Sequence, residues 1–89
     1  MENRTLFIRI PKVVWSRVNH SEYKIVTEMW INVGLISAFT PSTHRTINGE
    51  EFQVVIIDVM GLDYNIEILM NIDEFTELLI NAADNGIIH

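Results

Sequence analysis

Apolar and polar residues alternate with a period of two through most of this chain and change to helical spacing only near its end. Leu6, Ile8 and Ile10 alternate with Phe7 and Arg9, which predicts a strand over residues 5–10 that Pro11 ends. Residues 12–19 fit a second strand or a single helical turn, because so short an apolar run has no decisive period. Residues 23–31 read as a strand with Ile25, Thr27, Met29 and Ile31 on one face, and Asn32 to Leu35 as a turn. Residues 35–40 form the next strand. Pro41 opens a polar stretch that closes on Asn48 and Gly49, the dipeptide whose ready positive φ favours a hairpin.

Residues 50–60 make the centre of the sheet, with β-branched residues on both faces. Gly61 to Asp63 then turn the chain into residues 64–70, where Tyr64, Ile66, Ile68 and Met70 point inward against Asn65 and Glu67. The helix that follows, over residues 72–85, carries its own start signals. Asn71 and Glu74 have capping-box spacing, and Met70 and Phe75 have the spacing of a hydrophobic staple. Ile72, Phe75, Leu78, Leu79 and Ala82 form its apolar stripe, and Gly86 supplies a stop.

These elements predict an α+β fold in one domain, residues 1–89: an antiparallel β-meander of about five strands, curled or barrel-like, packed by one C-terminal α-helix. One helix covers one face of a sheet. Phe52, Val54, Ile56 and Met60 lie on one side of the central strand and Val55, Ile57 and Val59 on the other, so barrel closure or another subunit must cover the second face. A homo-oligomer is therefore expected.

Composition narrows the functional classes. At 89 residues the chain buries only roughly 60 to 65% of its unfolded surface. With no cysteine, disulfides and thiolate zinc sites are unavailable, and 48% hydrophobic content must carry stability. No apolar run reaches the length of a membrane span, and residues 1–11 lack a signal-peptide core, so the expectation is a cytoplasmic protein with no membrane partner; for a viral or phage gene that means the host cytoplasm.

The charge is divided. Residues 1–45 hold all six lysines and arginines against three carboxylates, while residues 46–89 hold nine carboxylates and no basic side chain. Only the first half can bind an anion through side-chain cations. Long nucleic acid is disfavoured, because the acidic half repels polyphosphate and six basic groups release few counterions.

Candidate chemistry concentrates in the basic half. His20, His44 and His89 share no face, so no metal site is expected. Ser42, Thr43, His44 and Arg45 bring hydroxyl, imidazole and guanidinium together, but general-base catalysis needs a third group that orients the imidazole, and the sequence does not show one. The reading is non-enzymatic, without catalytic residues or cofactor. The same loop, with Arg9, Lys12 and Arg17 for charge and Trp15 and Trp30 for stacking, makes Arg9, Lys12, Trp15, Arg17, Trp30, Thr43, His44 and Arg45 the candidate ligand site for a small phosphate-bearing molecule such as a nucleotide signal. The alternative is a protein partner met through the acidic surface, as an inhibitor or a mimic of DNA phosphates.

From Asn32 onward the order is an asparagine turn, a strand at Leu35 and Ile36, Pro41, an apolar strand, a glycine turn at Gly61, a second apolar strand and an acidic-start helix through Leu78 and Leu79. This resembles the small FlbD-type flagellar accessory proteins, with Val33 where that family has proline and a longer loop after Pro41. The resemblance implies a small β-rich regulatory module with a C-terminal helix, and it implies no catalytic residue.

Overall fold

The period-two stretches do form strands, and most run longer than their sequence limits implied. A computed structural model describes residues 6–87 as β1 (Phe7–Val18), β2 (Ser21–Asn32), a 3-10 turn (Val33–Leu35), β3 (Ile36–Arg45), β4 (Glu51–Val59), β5 (Ile66–Ile68) and α1 (Ile72–Ile87). The sheet order is β2-β1-β5-β4-β3, with every neighbouring pair antiparallel. The meander β3-β4-β5 holds as expected. The first hairpin joins it through β1, which pairs with β5. The sheet stays open, with β2 and β3 as its edges, and the molecule measures 54 × 25 × 19 Å. No helix among the described residues is long and apolar enough to cross a membrane.

Pro11 does not end the first strand. In an antiparallel ladder a residue's N–H and C=O point to the same side. The Pro11 carbonyl accepts from the Leu69 N–H at 2.9 Å, so its imino nitrogen also faces β5 and the ladder to β2 loses no bond. Residues 12–18 thus continue as strand. Asn19 and His20 turn the chain with φ of 49° and 64°, the left-handed pair that two-residue hairpins require. Pro41 likewise stays within a strand, on the edge strand β3, where a missing donor is tolerated. Tyr64 departs from expectation in the other direction: β5 begins only at Ile66, and Tyr64 is exposed.

The core lies between the sheet and α1. Ile8, Ile10, Ile31, Val55, Ile57 and Ile68 pack around Phe75, which is fully buried. The expected cap is present, because the Glu74 N–H donates to Asn71 Oδ1 at 2.8 Å and the Asn71 N–H donates to Glu74 Oε1 at 3.0 Å. Met70 packs against the same core, completing the staple. The helix passes the expected stop at residue 85 and reaches Ile87.

Candidate functional site

On the sheet face opposite α1, the tips of the two long hairpins meet. Strand alternation puts Val13, Trp15 and Arg17 of β1, Glu22 and Lys24 of β2, His44 of β3, Phe52 and Val54 of β4 and Glu67 of β5 on this face. The sheet's two edge strands touch here through side chains alone. Val13 and Val54 are buried yet lie outside the main core, so part of the second apolar face is covered within one chain.

Trp15 and His44 stack at 3.8 Å between ring centroids with 6° between planes, and Phe52 tilts against the indole at 5.5 Å. The Trp15 Nε1–H donates to Glu67 Oε1 at 2.7 Å. His44 Nε2 lies 3.0 Å from Glu22 Oε2, and Nδ1 lies 3.7 Å from Glu67 Oε1. Glu22 is 5% exposed and accepts the Ile47 N–H at 3.1 Å, while its own N–H donates to Asn48 Oδ1 at 3.2 Å. The Asn48-Gly49 loop is thus a hairpin, with Gly49 at φ 92°, and also the latch that holds β2 to β3.

Burial pushes the Glu22 carboxyl up, but the Ile47 N–H, His44 and Arg17 together bring it below its ordinary value of 4.5. A carboxyl with a depressed folded-state value stabilises the fold above its unfolded value, and that contribution is lost as pH falls through the folded one. Stability of the native chain should therefore drop more steeply below about pH 4.5 than stability of Glu22→Gln. Acid unfolding of the two proteins along the same slope would show that this latch does not hold the tips together.

The eight predicted ligand residues separate into four groups. Trp15, Arg17 and His44 join the tip cluster, where Glu22 and Glu67 line the same space and disfavour an anion. Arg9 and Trp30 sit together beside a groove of about 500 Å³ that Phe7, Leu78 and Asn81 also line. There the guanidinium lies 5.9 Å from the indole centroid and 3.4 Å from Glu28. Thr43 and Arg45 point to the other side of β3 from His44; Arg45 pairs with Glu51 at 3.6 Å, and Thr43 lines a cleft of about 490 Å³ with Ser42, Gln53 and Asp73. Lys12 is half-buried on the helix side, opposite Thr27 and Ile68.

Sequence reasoning missed Glu22, Glu67 and Phe52. The carboxylate that orients the imidazole exists: Glu22 meets Nε2 at 3.0 Å, Glu67 lies 3.7 Å from Nδ1, and Trp15 covers one ring face. No group of three His, Asp or Glu side chains among the described residues is placed to hold a metal ion. The acidic half is not simply a charged surface, since Glu67 and Glu74 are engaged in the tip cluster and the helix cap. Comparison with protein families, curated proteins and solved structures finds no match to this chain.

Proposed function

We propose that this chain is a non-enzymatic binding module that works as a homo-oligomer and uses its β1–β2 hairpin as the contact surface. One observation carries the reading. Half of the large exposed apolar side chains among the described residues lie on this hairpin, including Phe7, Val14, Tyr23, Ile25, Val26 and Trp30, on both of its faces. Apolar exposure this concentrated marks an interaction surface. Sedimentation or light scattering is expected to give a species heavier than 10.3 kDa at micromolar concentration. A single 10.3 kDa species throughout that range would overturn the reading.

A second reading, capture of a small phosphate-bearing ligand such as a nucleotide, is favoured by the groove at Arg9 and Trp30. Trp30 is 63% exposed and Arg9 stands beside it, so a base can stack while a phosphate meets the guanidinium. Cyclic di- and trinucleotides should quench tryptophan fluorescence in the native chain and in Trp15→Phe but not in Trp30→Ala. Equal quenching in the native chain and Trp30→Ala would remove this reading.

A further inference from the structure

We propose that two copies of this chain pair edge to edge through β2, antiparallel about Val26, with Lys24 of each copy opposite Glu28 of the other. The inference rests on the self-associating reading above and specifies its surface and register.

The first observation is which strand edge is open. Among the described residues no strand pairs the outer side of β2, which runs twelve residues with no bulge in its ladder to β1. Proteins usually blunt such an edge with proline, bulges or short length. The opposite edge, β3, carries Pro41 near its middle; β2 has no proline.

The second observation is which β2 groups face outward. Pro11 turns its backbone polar groups toward β5, so its partner Glu28 turns its N–H and C=O away from β1. The Glu22 N–H, six positions earlier, leaves the sheet in the same sense and meets Asn48. Even-numbered residues of β2 therefore present the free donors and acceptors. Asn48 already occupies the edge at Glu22, which leaves the even positions from Lys24 onward open, with Lys24 and Glu28 the charged residues among them. A second β2 can use them only in a register that sets even residues opposite even residues.

The third observation selects among those registers by charge. Centring on Val26 puts Lys24 opposite Glu28 twice and Val26 opposite itself, with backbone pairs at all three positions. Centring on Lys24 or on Glu28 opposes like charges. Centring on Ile25 sets Glu28 against Glu22, again like charges, and centring on Thr27 sets Glu28 against Val26 and Lys24 against Trp30. Among registers centred from Lys24 to Glu28, only the one on Val26 sets opposite charges against each other, with Trp30 falling opposite Glu22 at either end of the paired stretch. On the helix side it brings the exposed Tyr23 and Ile25 of one copy against Met29 and Thr27 of the other, covering apolar surface that a single chain leaves open.

The test is a charge exchange read by analytical ultracentrifugation, with circular dichroism and thermal unfolding confirming that each variant folds. Lys24→Glu and Glu28→Lys should each weaken self-association about tenfold or more, since each sets like charges opposite twice, and the double exchange should restore it. Because Lys24 also lies over Phe52 and Glu28 meets Arg9 within one chain, a second measurement is independent of both. The chain has no cysteine, so Val26→Cys offers one thiol that a short bismaleimide should join to its copy across the axis, while Val18→Cys should stay unlinked. Self-association with unchanged affinity in both single variants and no cross-link at position 26 would overturn the β2 pairing and leave the oligomeric reading standing. A chain that stays at 10.3 kDa throughout would remove both.

Discussion

Replacing Phe75 with alanine is expected to remove about 3 to 5 kcal/mol of folding stability, the range for a fully buried aromatic side chain. Phe75 is 0% exposed and stands at the centre of the contact between α1 and the sheet, with Ile57, Ile66 and Ile68 in the same core cluster. Phe39 meets it edge-to-face at 5.0 Å and 73°, an aromatic pairing that deletion also forfeits. A domain of this size has a total stability on the order of 5 to 15 kcal/mol, so the variant approaches the unfolding threshold. Urea unfolding should show a lowered midpoint with an unchanged slope, whereas Asn71→Ala, which removes only the cap, should cost about 1 kcal/mol. A Phe75→Ala variant as mild as the cap variant would mean that α1 is not docked on β1 and β4 as described.

Trp15→Ala should be nearly as damaging, at about 2 to 4 kcal/mol, somewhat below the fully buried aromatic range because the indole is only half-buried. Its loss removes the stack on His44, the contact with Phe52 and the donor to Glu67. Glu67 would then keep its charge without its hydrogen bond, and nothing would fill the space between the hairpin tips. Hydrogen exchange should report the opening locally: the Ile47 and Glu22 amides, which the closed tips hold in hydrogen bonds, should lose protection before the core strands do. Trp30→Ala is the internal comparison, since an exposed indole on β2 should cost within about 0.5 kcal/mol in the monomer. Equal effects from the two tryptophans would show that the tip cluster is not a structural unit.

The two tryptophans mark where sequence reading reached its limit. Both occupy apolar strands in the basic half, and both looked suited to stacking on a ligand. One is clamped between hairpins and the other stands at a groove, a difference set by partners far along the chain. His44 and Glu22 are 22 residues apart, and Trp15 and Glu67 are 52 apart. Period and composition report only local geometry, and a lone glutamate at the start of an apolar strand looks like any solvated charge. Glu22 is buried because a loop 25 residues away offers it the Ile47 N–H.

By itself the sequence determined the elements whose instructions are local. The Asn71–Glu74 cap, the apolar stripe through Phe75, the Asn48-Gly49 turn and the two-sided apolar strand β4 each state their geometry within a few residues, through side-chain hydrogen bonds, positive φ or alternation. Only the tertiary structure decided how the prolines are tolerated, which strand pairs with β5, and where the cations go. Pro11 continues β1 because its missing donor faces β5, where the partner ladder is short. Arg9 and Arg45 are drawn to Glu28 and Glu51 on neighbouring strands, and His44 on one edge strand meets Glu22 on the other, so basic residues that share one half of the sequence do not share one site. Sheet register sets those partners, and register is a long-range property that no window of the chain contains.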